Sequence, residues 1–154
     1  MKITDVSCVH SCMHNNVIII DCIHENAKNK NVEYRYEIFI LNRNNELITH
    51  FESHNCISVS VLDDNCDLFT FNDTEAETDQ LQLYRIEKDN TCTYLNTYEY
   101  IEEGIEDDYF AVKRNGLYGF INANGEEVIE PQYEEYRFFH NGYAPVWTDI
   151  MPLM

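Results

Sequence analysis

Residues 109–146 read YFAVKRNGLYGFINANGEEVIEPQYEEYRFFHNGYAPV, and three Asn-Gly pairs punctuate them: Asn115-Gly116, Asn124-Gly125 and Asn141-Gly142. Each pair lies between apolar, strand-like runs. Asn-Gly supplies two successive residues that accept positive φ, the requirement of a tight type I′ hairpin turn. The stretch therefore reads as consecutive antiparallel hairpins. Its glycines serve turns and close backbone approach, while Phe120, Ile121, Tyr133 and Val146 are expected in the core. Pro131, which has no N–H to give a ladder, is expected to begin a strand or mark a sheet edge.

Working outward, weaker turn signals recur upstream at Asn44-Asn45, Asp64-Asn65 and Asp89-Asn90. Alternation places Tyr34, Tyr36, Ile38 and Ile40 on one strand face and Ile57, Val59 and Val61 on another. Val, Ile and Thr make up 33 of the 154 residues and aromatics another 20, against 18 Ala, Leu and Met. The first two groups suit pleated, half-buried surfaces; the last would be expected to dominate helices. The expected fold is all-β, a chain of antiparallel hairpins and meanders in one domain spanning 1–154. Thr74-Glu75-Ala76-Glu77 fits a capping box, so at most a short helical turn is expected near 74–79.

The stretch 109–146 resembles the WG β-repeat found in many bacterial proteins. The resemblance rests on Ala111-Val112, Asn115-Gly116, Gly119-Phe120-Ile121-Asn122, Asn124-Gly125, Glu127-Val128-Ile129 and Pro131-Gln132-Tyr133. Asn141-Gly142 and Ala144-Pro145-Val146 open a further unit. One departure is Tyr118, which stands where the family's signature Trp precedes Gly. The resemblance implies a β-rich scaffold that presents a surface, and it brings no catalytic residues.

Degenerate copies are expected upstream. Candidates are Leu83 to Ile86 with Asp89-Asn90 and Tyr94-Leu95, and Val59 to Val61 with Asp64-Asn65 and Leu68-Phe69. A third is Phe39 to Asn42 with Asn44-Asn45 and Leu47-Ile48. Such units cannot bury an apolar face alone and stack on neighbours. Residues 57–154 thus read as a WG-like repeat region. Residues 1–56 read either as further degenerate repeats or as a β-rich cap.

The formal net charge is −18, from 28 acids and 10 bases, where small soluble domains usually sit at a magnitude of about 2–8. That excess argues against direct nucleic-acid binding, which requires cations to neutralise phosphates, and against anionic membrane surfaces. It is unevenly placed: residues 1–60 hold seven acids and five bases, while residues 61–154 hold 21 acids and five bases. Two runs stand out. One comprises Asp63, Asp64, Asp67, Asp73, Glu75, Glu77 and Asp79, and the other Glu99, Glu102, Glu103, Glu106, Asp107 and Asp108. Both fall in expected turns, and equivalent loops of stacked repeats project from one side, so a single acidic surface is expected.

Crowded like charge works against compactness, so a compensating role is expected, and a basic protein partner is the natural one. The leading expectation is a non-catalytic, cytoplasmic immunity protein that sterically blocks a basic, nuclease-type toxin domain. Tyr98, Tyr100, Tyr109 and Tyr136 lie beside the acidic runs as candidate aromatic anchors, or else pack within sheets. The alternatives are a nucleic-acid mimic that inhibits a DNA- or RNA-binding protein, and a generic WG-repeat interaction scaffold.

No enzyme is expected. His50, His54 and His140 are scattered, no Ser or Cys sits in a nucleophile turn, and no carboxylate pair is singled out. The acidic runs lack the ligand order and glycine of a calcium loop. The N-terminus, MKITDVSCVH, has no apolar export segment, so the six cysteines read as reduced thiols. Cys8, His10, Cys12 and His14 alternate at every second residue, but one extended strand does not wrap its own side chains round a tetrahedral ion. The simpler reading is core thiols with histidines at strand ends, without metal or cofactor; a structural zinc is the alternative.

Overall fold

A computed structural model of the chain describes residues 8–13, 17–28, 31–62, 67–73, 80–102, 109–137 and 143–148. Every regular element among the described residues is a β-strand, and all pairings are antiparallel. The all-β, hairpin-and-meander reading therefore holds. The possible helical turn at 74–79 lies outside the described residues.

Among the described residues the strands form three four-stranded meanders and one two-stranded piece. The first sheet runs β1 (Cys8–Met13), β2 (Val17–Lys28), β3 (Asn31–Asn42) and β4 (Leu47–Ser53). The second runs β5 (Ile57–Val61), β6 (Leu68–Asp73), β7 (Leu81–Ile86) and β8 (Cys92–Tyr98). The third runs β9 (Tyr100–Ile101), β10 (Tyr109–Arg114), β11 (Leu117–Asn122) and β12 (Glu127–Tyr133). Beyond it, β13 (Glu135–Tyr136) pairs with β14 (Val146–Trp147).

The sheets stack in chain order, and the core lies between them. Val17, Ile19, Ile38 and Ile40 of the first sheet pack with Ile57, Phe69, Phe71 and Ile86 of the second. Leu68, Leu83 and Tyr98 on the other face of the second sheet, with Leu62, pack with Ile101, Phe110, Val112 and Ile121 of the third. The second sheet is thus covered on both sides. This explains why Leu68-Phe69-Thr70-Phe71 is buried throughout, whereas a one-sided strand would alternate. Phe51 of β4 stacks on Phe71 at 4.3 Å and meets Tyr84 edge-on at 5.4 Å, extending the first interface. On the far side of the third sheet, Phe120 and Tyr118 meet Tyr136 at 6.0 and 4.8 Å.

The turn between third and fourth strands is built alike in all three meanders. Asn42 N–H bonds to Glu46 O at 2.9 Å and Asn45 N–H to Asn42 O at 3.0 Å. Glu87 and Asn122 open turns with the same two bonds, to Thr91 and from Asn90 in one, to Glu126 and from Gly125 in the other. The fourth residue has positive φ each time: 63° at Asn45, 63° at Asn90 and 77° at Gly125. Asn42 and Asn122 agree further, each Oδ1 receiving two backbone N–H groups and each Nδ2 bonding to Glu46 or Glu126. A bulge follows in the fourth strand, at Ile48 in the first sheet and Val128 in the third, equally far from the turn.

Two expectations about glycine turns separate here. Asn115-Gly116 has positive φ at both residues, 53° and 76°, as a type I′ turn requires. At Asn124-Gly125 positive φ is confined to the glycine, so this is a longer turn closed by a left-handed residue, not type I′. The reason is Asn122, whose side chain binds Asn124 and Glu126 N–H and stabilises a wider loop. Asn141-Gly142 lies outside the described residues. Pro131 falls in β12, the edge strand of the third sheet, where the register shifts opposite Gly119.

Candidate functional site

In an antiparallel meander the first and third connections leave from one end and the second from the other. Connection β5–β6 carries Asp63, Asp64 and Asp67, and β9–β10 carries Glu102, Glu103, Glu106, Asp107 and Asp108. Both join first to second strands, at the end that holds the three matching turns. Asp73 ends β6 at its other end, and Glu75, Glu77 and Asp79 follow it in the β6–β7 connection. Six residues of strand, roughly 20 Å at about 3.3 Å per residue, separate the two attachments. The first acidic run is therefore divided between the two ends of β6, while the second attaches at the turn-bearing end.

The turn-bearing end is continuous from sheet to sheet. Asn42, Arg43 and Asn44 of the first sheet line a cleft of about 300 Å³ with Asp67, Glu87, Lys88 and Asn90 of the second. The Arg85 guanidinium then reaches Asn124 O of the third sheet at 3.0 Å. Of the expected contact residues, Asp67 holds Ile86 N–H through its backbone carbonyl at 2.9 Å. Asp73 accepts the Ser53 hydroxyl at 3.1 Å, tying the second sheet to the first. Glu102 is pushed up from the usual carboxylate range by burial, against a hydrogen bond from Tyr136. Asp63, Asp64, Glu75, Glu77, Asp79, Glu103, Glu106, Asp107 and Asp108 lie outside the described residues.

The four tyrosines divide. Tyr100 and Tyr109 are exposed, and Tyr136 is half-buried against Tyr118. Burial, the Tyr100 hydroxyl and the Glu102 carboxylate all push Tyr136 up from the ordinary phenol range. Tyr98 is 1% exposed and belongs to the core between second and third sheets, so its ring is not a surface anchor. Its hydroxyl has a partly buried partner instead, Glu127 Oε1 at 2.7 Å. Arg114 and Asn96 converge on the same carboxylate.

A second polar constellation lies on the face of the first sheet turned away from the second. Glu37, in the middle of β3 and 8% exposed, accepts His24 Nε2–H on Oε2 and His50 Nε2–H on Oε1, the latter at 3.1 Å. Arg35 approaches Glu37 Oε1 at 3.3 Å and Glu52 Oε2 at 3.4 Å. His50 is held flat against Phe39, with centroids 4.4 Å apart and planes 11° from parallel. Cys22 pairs with Glu37 across β2–β3, and burial, then the Glu37 and Asp21 charges, raise its thiol pKa. Sequence reading singled out His50 but not Arg35, Glu37 or Glu52. Alternation does place Arg35 and Glu37 opposite the Tyr36–Ile38–Ile40 face; what it lacks is the register that brings His24 and Glu52 alongside. Cys8, His10 and Cys12 lie on β1, and with His14 their side chains fall outside the described residues.

Gly119 lies beneath β12: a Cβ there would come within 2.5 Å of Ile129 O and 2.6 Å of Pro131 N. Tyr118, beside it, carries Lys113 Nζ at 5.0 Å over its ring. An aromatic followed by a glycine that no side chain can replace is the kernel of this unit. Residues 118–146 match the family described as WG containing repeat. The WG repeat so defined begins in β11 and ends in β14. It is therefore offset from the meander, taking its first two strands from one sheet and its last two from the next. Tyr118 takes the place of the family's Trp, and its contact with Tyr136 spans that junction. No curated protein and no solved structure matches the chain.

Proposed function

We propose that this chain is a non-catalytic acidic binding protein, a stack of WG-type units that engages a basic protein partner. On this reading β3–β6 and β7–β10 are diverged copies of the unit, offset from the meanders as β11–β14 is, and the matching turns after β3, β7 and β11 support it. The observation that carries it is the placement of charge. Residues 61–154 hold 21 acids against five bases, concentrated in the connections between strands. A rigid β-scaffold limits the ordering cost of presenting them, and opposed charge accelerates association and rejects wrong partners.

The partner class that fits is a cationic toxin domain of nuclease type, blocked as by an immunity protein: carboxylates oppose the Lys and Arg that would hold phosphate. The connections at the turn-bearing end, Asp63 to Asp67 and Glu102 to Asp108, are the primary contact, with Tyr100 and Tyr109 as exposed rings nearby.

The test is co-purification with the product of the adjacent gene, followed by binding kinetics. One tight 1:1 complex is expected, its on-rate falling steeply towards 1 M salt, where the Debye length is about 3 Å. Reversing Glu106, Asp107 and Asp108 to Lys is expected to weaken it at least about tenfold. Equal binding to unrelated nucleases would favour nucleic-acid mimicry. Indifference to salt and to charge reversal would sink the electrostatic reading.

A further inference from the structure

We propose that Glu37, His50 and Glu52 form a binding site for a divalent cation of the zinc class, with the Arg35 guanidinium as its built-in competitor. The inference stands apart from the partner-binding reading. Its starting point is register: Glu37 and Glu52 are directly opposite each other on β3 and β4. Like charges so placed repel, and this pair needs a cation between them. One ligand atom from each of Glu37, His50 and Glu52 lies within 4.8 Å of the others. A tetrahedral zinc with bonds of about 2.0–2.2 Å wants its ligand atoms roughly 3.3 Å apart. Glu37 Oε1 and His50 Nε2 already stand at 3.1 Å; the metal takes the place of the bridging proton, His50 binding as the Nδ1–H tautomer, and Glu52, half-exposed, has freedom to close the remainder.

The surroundings favour a metal over mere charge balance. His24 binds the other oxygen of Glu37 and fixes the carboxylate's orientation, the task of a residue behind a metal ligand. Stacking on Phe39 sets the plane of His50. The imidazole nitrogen points to a first-row transition ion, since calcium and magnesium favour all-oxygen sets. Arg35 supplies the cation when no metal is bound. It also borders a cleft of about 370 Å³ lined by His24, Glu33, Tyr34 and His54, which gives the guanidinium somewhere to go.

The test is titration of chelator-treated full-length protein with Co²⁺, read by visible d–d absorption, then displacement by Zn²⁺. One equivalent is expected to bind without thiolate-to-cobalt charge-transfer bands. Binding should weaken about 10- to 100-fold in Glu52→Gln, in His50→Ala and, through misorientation of Glu37, in His24→Gln. Arg35→Ala should bind more tightly than the parent chain. Glu52→Gln alters only a half-exposed carboxylate, so it reports on binding even if His50→Ala loosens the sheet. Two outcomes overturn the proposal. One is no saturable site in either the parent or Arg35→Ala, with native β-sheet circular dichroism. The other is binding that survives Glu52→Gln and His50→Ala or shows thiolate ligation, which would place the metal on the cysteines.

Discussion

The Tyr98 hydroxyl donates a 2.7 Å hydrogen bond to Glu127 Oε1, joining the last strand of the second sheet to the edge strand of the third. Arg114 and Asn96 meet the same carboxylate. A phenol buried to 1% must find a partner for its O–H, and the cluster satisfies that need while fastening two layers. Tyr98→Phe is expected to cost about 1.5–3 kcal/mol, the range for a bond to a charged group. Glu127→Ala should cost more, because it strands three donors at once. Urea unfolding measures both; equal stability of Tyr98→Phe and the parent would contradict the link.

The same cluster sets a pH dependence. Burial alone would raise Glu127, but hydrogen bonds from Arg114 and Tyr98, with the Arg114 charge, hold its carboxyl below the usual range. A depressed folded pKa means stability present above the unfolded value, about 4.3, and lost as pH falls through the folded one. Tyr98 and Tyr136 are raised, chiefly by burial. Their contribution is complete below the unfolded tyrosine value, about 10, and declines as pH rises beyond it. Stability against pH is thus expected to fall at both extremes, and Glu127→Gln should flatten the acid limb.

Two glycines should respond differently to alanine. At Gly119 the new Cβ would overlap backbone atoms of Ile129, Glu130 and Pro131, none of which can rotate aside. Gly119→Ala is expected to cost 3 kcal/mol or more, at or beyond the upper end of the roughly 1–3 kcal/mol usual for overpacking. At Gly116 a Cβ meets nothing within 4 Å, and only the φ of 76° opposes it. That costs about 1–2 kcal/mol. Denaturation midpoints that reverse this order would refute the account of the glycine beneath β12.

Asn42 and Asn122 hold their turns through the same three side-chain bonds. Their alanine variants should therefore lose similar stability, about 1–2 kcal/mol each by analogy with helix caps. The sites lie in different sheets, so the double variant should be nearly additive. Thermal melts of the two singles and the double test this.

Thiol reactivity should follow burial. Cys92 is half-buried and its thiol is pushed up to about 11, mainly by desolvation, so little thiolate exists at neutral pH. Cys56 is exposed. Mass spectrometry after brief alkylation at pH 8 should find Cys56 modified before Cys92 and the buried Cys22.

Much of the fold was legible because β-turn chemistry is local. Asn115-Gly116, Asp89-Asn90 and Asn44-Asn45 each sit at a turn with a positive φ where the sequence signals one. The pattern Asn-x-Asn-Asn-Glu at 42–46 and Asn-x-Asn-Gly-Glu at 122–126 produces one hydrogen-bond network twice. The turn at Asn124-Gly125 departs from the expected type I′ because a side chain two residues earlier sets its width. The site was less legible. Tyr98 resembles its exposed neighbours Tyr100 and Tyr109 in sequence, and a partner 29 residues away decides its burial.

The sequence by itself determined the strand content, the positions of the hairpins, the repeat at 118–146 and the charge imbalance between its two parts. Each depends on residues within a few positions of one another. The tertiary structure alone decided which faces are covered, that the first acidic run is split between the two ends of β6, and that His24, Glu37, His50 and Glu52 meet. Those outcomes rest on cross-strand register and on the stacking of sheets. Register is fixed by which apolar side chains find the core together, a property of pairs of strands that no single stretch contains.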